Sequence, residues 1–374
     1  MSRMNLDAQP VDHDRKFMAL ALACADEVKG TTFPNPSVGS VIVKNGIVVG
    51  RGATSEYGGS HAEINALKMA GAKAWGAIMY VTLEPCCHQG RTGPCTEAII
   101  RSGVKKAFVS IKDPNPLVNG KGIRLLREHG IDVNVGLLER ESARINEDFF
   151  FWIVHKRPWV TVKLAMTLDG RIADAHGDSK WITSNAARKC AHDVRRRHAA
   201  VAVGATTLFR DNPRLTVRYG HHGNPVRFVF SSKETVAAGS YFEASAGRAG
   251  KKGRSILVVL SGKRSKRTLG GGVEVWRTGV RDEKDSLRAF LCMAGEENIC
   301  SILVEGGRRL ASGFLESRLV NRLCLFYANK IIGNGIPGLE FGVGLPVRTP
   351  IVLDDMELVR FDKDILISGI PHWR

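Results

Sequence analysis

The chain has 374 residues, 44% hydrophobic and 24% charged, with 40 Gly and 14 Pro spread along its length. At roughly 150 residues per domain this implies two or three domains, and it excludes a small stapled module, collagen-like structure and wholesale disorder. The 54 Lys+Arg against 37 Asp+Glu give a net charge of +17, which favours anionic partners: nucleic acid, an anionic surface or small phosphorylated ligands.

The first residues, MSRMNLDAQPVDHDRKF, carry Asp7, Asp12 and Asp14 and lack the apolar centre of a secretory signal. The longest apolar run nearby, Met18 to Ala25, stops at Asp26 and Glu27, well short of the roughly 20 residues a bilayer span needs. A cytoplasmic protein with no membrane partner is the expectation. Apolar spacing predicts a helix over Arg15 to Lys29. Val38 to Gly52 then reads as a hairpin turning at Asn45 and Gly46 through a type I′ turn. Helices at about His61 to Gly71, Pro94 to Gly103 and Gly122 to His129 alternate with strands near Ile78 to Thr82, Lys106 to Ile111 and Val133 to Val135, and a helix over Glu139 to Lys156 closes the set. This alternation is an α/β layer domain.

A break at Lys156, Arg157 and Pro158 sets the boundary, giving domains 1–156 and 157–374. Strand-like runs follow at Trp159 to Ala165, Ala200 to Val203, Val226 to Phe230, Ser255 to Leu260, Ser301 to Val304, Arg322 to Ala328 and Asp364 to Ile370, with helical patterns between several of them. The second domain is therefore α/β too. Ser231 to Gly272, rich in Gly, Ser and Lys, reads as surface loops around one strand. The basic runs Arg195 to Arg197 and Lys263 to Arg267 lack interleaved aromatics and read as solvated surface, which argues against a nucleic-acid partner. Of the eight Cys, only Cys86, Cys87 and Cys95 are grouped; the scattered ones read as buried small hydrophobes.

The chemistry of the first domain lies in GGSHAE, Gly58 to Glu63, and PCCHQGRTGPC, Pro85 to Cys95. One His and two thiolates, His61, Cys86 and Cys95, supply three tetrahedral-type ligands to Zn²⁺ and leave a fourth position for water, the open arrangement of a catalytic site. Glu63, two residues after His61, is placed to take a proton from that water and hand it to a leaving amine. Pro94 suits the first position of the next helix, aiming Cys95 from a helix N-terminus. Two other readings compete: Ser60 and Glu63 as a capping box with no catalysis, and Cys87 or His88 as a ligand.

Eight residues separate Cys86 from Cys95, with GRT among them, and FPNPSVG at Phe33 to Gly39, TLEPC at Thr82 to Cys86 and DPNP at Asp113 to Pro116 accompany them. In the second domain TVKLAMTLDGRIA (Thr161 to Ala173), SKWITS (Ser179 to Ser184), VGATTLFRDNPRLTVR (Val203 to Arg218) and VEGGRRLASGFL (Val304 to Leu315) occur in that order. Neither GxGxxG nor GxxxxGK[ST] is present, although Gly306 and Gly307 stand where a strand meets a helix and suit phosphate binding. Together these segments resemble the RibD family of bifunctional riboflavin-biosynthesis deaminase-reductases over the whole chain. Cys87 departs from the family, where Ser is common.

The resemblance implies a cytidine-deaminase-like three-layer domain followed by a domain similar to dihydrofolate reductase. It implies zinc-dependent deamination of the 2-amino group of a diaminopyrimidinone ribosylamino 5′-phosphate, then NADPH reduction of the ribosyl group. Carried over by position, it implies NADP contacts at Ala165, Trp181, Thr207, Asp211 and Ser232 and along Gly307, Arg308, Arg309, Leu310, Ala311, Ser312 and Gly313. The implied substrate contacts are Asn35, Ser179, Arg195, Leu215, Arg218 and Glu305, with Lys163 near the sugar. Lys163 and Glu305 are the candidate pair for orienting the sugar and delivering a proton, while Arg195 and Arg218 suit a bidentate clamp on the 5′-phosphate. Asn35 is equally readable as a simple turn residue, and Trp181 as a packing residue. The family often forms homo-oligomers. The competing functions are a polynucleotide deaminase with an accessory RNA-binding domain and a non-catalytic zinc-stabilised scaffold; the first predicts steeply salt-dependent binding and no NADPH.

Overall fold

The structure is a computed structural model that describes residues 10–90, 93–218, 224–235, 239–246 and 253–374. The chain forms two compact units, Met1–His155 and Lys156–Arg374.

In the first unit α1 (Pro10–Glu27) precedes a hairpin of β1 (Gly39–Lys44) and β2 (Ile47–Ala53), then α2 (Ala62–Ala70), β3 (Ile78–Leu83), α3 (Cys95–Arg101), β4 (Lys106–Ile111), α4 (Lys121–Glu128), β5 (Asp132–Val135), α5 (Glu139–Ile145) and α6 (Glu147–His155). Asn45 and Gly46 both take positive φ, 51° and 76°, as a type I′ turn requires. The strands make one sheet in the order β2-β1-β3-β4-β5, antiparallel across β2-β1-β3 and parallel across β3-β4-β5. Because successive side chains alternate between faces, Ile42, Met79 and Val81 pack with Ala62, Ala66, Ile99 and Leu126 on one side, while Val41, Val43 and Tyr80 pack with Phe17, Met18 and Ala21 of α1 on the other. The result is three layers.

One expected helix, Glu139 to Lys156, is two. The break is Asn146, fully buried, whose side-chain oxygen accepts from Ser37 N and whose amide donates to Ser37 O, both at 2.8 Å. A polar side chain bound to a distant backbone here competes with helix continuation.

The second unit contains β6 (Trp159–Thr167), β7 (Arg171–Asp174), α7 (Asn185–Arg196), β8 (Ala200–Gly204), α8 (Ala205–Asp211), β9 (Val226–Ser231), α9 (Tyr241–Ala244), β10 (Ser255–Val259), β11 (Ser265–Thr268), β12 (Glu274–Arg277), α10 (Glu283–Glu296), β13 (Ser301–Val304), α11 (Arg308–Glu316), β14 (Arg322–Ala328), β15 (Gly335–Pro337), β16 (Ile351–Phe361) and β17 (Asp364–Trp373). Among the described residues the main sheet has ten strands in the order β11-β12-β10-β9-β8-β13-β6-β14-β17-β16, parallel from β12 to β14 and antiparallel at both ends; β7 and β15 pair separately. The central strands are buried on both faces and read as unbroken apolar runs, which is why β8, β10 and β13 were legible. Their two faces pack α10 and α11 on one side and Leu208, Leu215 and Phe242 on the other.

Three expectations are corrected here. The stretch from Ser231 to Gly272 holds two strands among its described residues, because β11, with the exposed sequence SKRT, pairs antiparallel with β12. Cys300 and Cys324 are buried, but Cys292 is exposed. Lys263 to Arg267 is indeed a surface run, its Arg264, Lys266 and Arg267 paired with Glu296, Glu297 and Glu234, whereas Arg195 is buried to 14% side-chain exposure.

Candidate active sites

In the first unit β3 ends at Leu83 and delivers Glu84, Pro85 and Cys86, while His61 and Cys95 open α2 and α3. His61 is the N-cap of α2 in an extended conformation, and Glu63 follows inside the first turn with 4% exposure. Ser60 is not the cap, so the capping-box alternative is not what forms; its hydroxyl accepts from Lys68 Nζ instead. Pro94 stands one position earlier than expected, as the extended N-cap of α3, which makes Cys95 the first helical residue.

His61 Nδ1 lies 3.5 Å from Cys86 Sγ and 3.3 Å from Cys95 Sγ, and the three donor atoms fall within 4.8 Å of one another. An edge of about 3.5 Å is what a tetrahedron with Zn–N and Zn–S lengths near 2.0 and 2.3 Å requires, so the donor set fits zinc in both chemistry and spacing. Cys87 Sγ instead faces Leu117 O at 4.0 Å, and neither it nor His88 joins the cluster. Cys95 donates to Cys86, which with His61 holds the Cys86 thiol down to about 4, while the same shared proton and burial push Cys95 up. Burial pushes the Glu63 carboxyl up to about 7, reinforced by the charge of Cys86 and opposed by His61. A carboxyl poised there exchanges protons readily near neutrality. Asn35 sits in the turn after the cis Phe33–Pro34 peptide; the turn is fixed through the Asn35 backbone, whose N–H donates to Thr32 O and whose carbonyl accepts from Thr32 Oγ1.

The second unit has a cavity of about 610 Å³ beyond the carboxyl ends of β8 and β13, beside β6, where open parallel sheets place their ligands. Of the expected cofactor contacts, Ala165, Trp181, Thr207, Asp211, Gly307, Arg308, Arg309 and Leu310 line it, joined by Ser179, Lys163 and Glu305. Gly306 and Gly307 adopt φ of 110° and 74°, conformations that suit glycine, and bring backbone to the N-terminus of α11. That cradle, with Arg188 and Arg210 on the wall, fits a dinucleotide phosphate.

Other expected contacts lie elsewhere. Ala311 and Ser312 are buried, Ser312 Oγ accepts from Glu340 N, and Gly313 faces Glu283 and Leu287, because only the first turn of α11 meets the cavity. Ser232 is exposed just past β9, Leu215 is 3% exposed within the core, and Arg218 is exposed; none lines the cavity. Arg195 does not present itself as a phosphate clamp: its Nε and one terminal nitrogen grip both Glu305 oxygens at 2.5 and 2.6 Å, and the other donates to Thr216 O at 2.6 Å. Burial pushes the Glu305 carboxyl up, but the Arg195 fork and the Lys163 charge outweigh it and hold the group below its usual range. Burial likewise pulls Lys163 down, opposed by Glu305. Trp181 is 64% exposed with Arg188 stacked 4.4 Å from its ring centre, so it is not a core-packing residue.

The sites describe a two-part enzyme, a cytidine-deaminase-type zinc unit followed by an α/β nucleotide-binding reductase unit. Residues 11–111 match the cytidine and deoxycytidylate deaminase zinc-binding region, and residues 158–367 match the RibD C-terminal domain. The riboflavin biosynthesis protein RibD of Aquifex aeolicus is 42% identical over 88% of this chain and 91% of its own. Among solved structures, Acinetobacter baumannii RibD superposes with a TM-score of 0.82 at 31% identity, covering 97% of this chain and 99% of that one. The Thermotoga maritima diaminohydroxyphosphoribosylaminopyrimidine deaminase/5-amino-6-(5-phosphoribosylamino)uracil reductase gives 0.81 at 34% identity, covering 97% and 100%. The chain belongs to the RibD family, the bifunctional deaminase-reductases of riboflavin biosynthesis. Its cofactors are Zn²⁺ and NADPH, and its substrates are small pyrimidines. The polynucleotide-deaminase reading is not favoured, since the RibD reductase match occupies the region where that reading needs an RNA-binding domain.

Proposed function

We propose that the first unit hydrolyses the 2-amino group of 2,5-diamino-6-ribosylamino-4(3H)-pyrimidinone 5′-phosphate and that the second reduces the ribosyl group of the product to give 5-amino-6-(5-phospho-D-ribitylamino)uracil. The observation that carries this is the His61, Cys86 and Cys95 cluster with Glu63 buried beside it. Those three residues hold the zinc, which when bound supplies the Lewis acidity that brings water towards a pKa near 7. Glu63 takes the proton of the attacking water on its carboxylate and passes it to the departing amine as ammonia forms. Asn35 holds the pyrimidine.

In the second unit Gly307 to Leu310 with Thr207, Ala165 and Trp181 would hold NADPH, which when bound would supply the hydride for reduction at C1 of the open-chain sugar. Lys163 and Glu305 both line the cavity, each within the electrostatic reach of the other, and their opposed charges orient the sugar and place a proton at its nitrogen. Ser179 completes the substrate contacts on the cavity wall, and Asp211 those to the cofactor. Arg195 serves this site through Glu305. We assign the protein to the cytoplasm. Among the described residues no helix is long and apolar enough to cross a membrane. A homo-oligomer is supported by the edge strand β16, which exposes Met356, Leu358 and Val359.

The direct test is Glu63→Gln. The variant keeps one zinc per chain and full reductase activity on the deaminated intermediate, and its deamination rate falls by about 10²- to 10⁴-fold. Deamination at the wild-type rate by the zinc-loaded variant contradicts the role given to Glu63.

A further inference from the structure

Glu84 stands outside the donor cluster, yet its carboxylate makes an unusual set of bonds. The residue is 3% exposed. Its Oε1 accepts from the backbone N–H of Gly122 at 2.9 Å and Ile123 at 3.2 Å, and its Oε2 from Gly120 at 2.8 Å and Asp113 at 3.2 Å. The first N–H groups of a helix have no partners within it, and Gly120, the N-cap of α4, has no side chain to offer them. Glu84 answers that need from 36 to 39 residues away in sequence.

The approach is close enough to exclude any side chain at Gly122, where an added Cβ would stand 2.1 Å from Pro85 O. The start of α4 is therefore pressed against the very peptide that leads into Cys86. On the other side, Thr96 N donates to Cys86 O at 3.2 Å and Cys95 N to Cys86 Sγ at 3.4 Å. The segment carrying Cys86 is thus held between the starts of two helices.

We infer that Glu84 is a positioning residue for the zinc site, clamping the Glu84–Pro85 segment to α4 and to the Asp113 to Gly120 loop so that Cys86 Sγ stays in register with Cys95 and His61. This rests on the ligand set given above. Glutamate suits the task because both of its oxygens accept. A glutamine of the same size has one oxygen, and its amide would face N–H donors.

The test is the rate at which the purified full-length, zinc-loaded enzyme gives up its metal to a chromogenic chelator. Glu84→Gln is expected to release zinc about tenfold faster or more, the scale seen when groups supporting metal ligands are altered, and to shift the visible bands of the cobalt-substituted protein. Its circular dichroism spectrum stays at the wild-type shape and reports a folded first unit, and its reductase rate stays at the wild-type value. If Glu84 only caps α4, the variant melts earlier but releases zinc at the wild-type rate with unshifted cobalt bands, and the inference is overturned. Cys86→Ser separates this from the ligand assignment: full zinc retention there overturns the ligand set itself, whereas loss there with retention in Glu84→Gln overturns only the role of Glu84. Should Glu84→Gln fail to fold, Gly122→Ala, which pushes on Pro85 O from the helix side, is read in its place; faster zinc release supports the inference and a wild-type rate overturns it.

Discussion

Arg195 carries its charge not toward solvent but onto Glu305, 110 residues away in the chain. As a residue type it suited a phosphate clamp equally well, because the guanidinium fork matches phosphate and carboxylate alike. What decides between them is tertiary placement, which no local pattern reveals. His61, Cys86 and Cys95 were legible for the opposite reason: zinc needs such donors, and few other structures need them at that spacing. The Arg195 fork keeps Glu305 ionised to lower pH than an ordinary glutamate. A carboxylate with a depressed pKa contributes above that pKa and is lost as pH falls through it, so weakening the hold moves the loss to higher pH. Arg195→Lys, which surrenders the fork but keeps the charge, is expected to lower the reductase kcat by about tenfold, roughly 1.4 kcal/mol, and to shift the acid limb of its pH profile upward. Deamination by the same protein is unchanged. An unshifted acid limb means that Arg195 does not act through Glu305.

At the scale of elements, the position of Glu63, the proposed proton carrier, depends on glycines that carry no chemistry. Strand β2 lies so close to α2 that a Cβ at Gly52 would stand 2.4 Å from Ala62 O, and one at Gly50 would stand 2.3 Å from Ala66 O. Ala62 lies between His61 and Glu63, so this contact sets where both side chains point. Gly52→Ala is expected to cost the first unit about 1–3 kcal/mol by overpacking and to lower deamination without altering the reductase; chemical denaturation and the two assays on one preparation check it. Wild-type stability and deamination show that the contact relaxes freely. The central strands β8, β10 and β13 were legible through their apolar runs, and the hairpin through Asn45 and Gly46, but β12, with the short sequence EVWR, was not, although its Val275 and Trp276 are buried. Strands at the sheet margin were not: β11 is exposed throughout, and β16 mixes exposed apolar and charged residues with a register shift between Asp354 and Glu357. The break at Asn146 escaped notice because its partner, Ser37, is 109 positions away.

For the whole molecule, the net charge of +17 admitted nucleic acid and phosphorylated small molecules equally. Its distribution separates them: basic residues of one expected surface run are matched by Glu234, Glu296 and Glu297, while Arg188 and Arg210 face the cavity. Two chemistries on one chain make a strong demand, because the product of the first must be the substrate of the second. The decisive measurement follows ammonia release and NADPH absorbance at 340 nm together, starting from the diaminopyrimidinone ribosylamino phosphate. The expected order is that ammonia appears first, that NADPH loss follows after a lag, and that Glu63→Gln abolishes both unless the deaminated intermediate is added. NADPH consumption without prior ammonia release, or ammonia release with no NADPH consumption at any time, contradicts it.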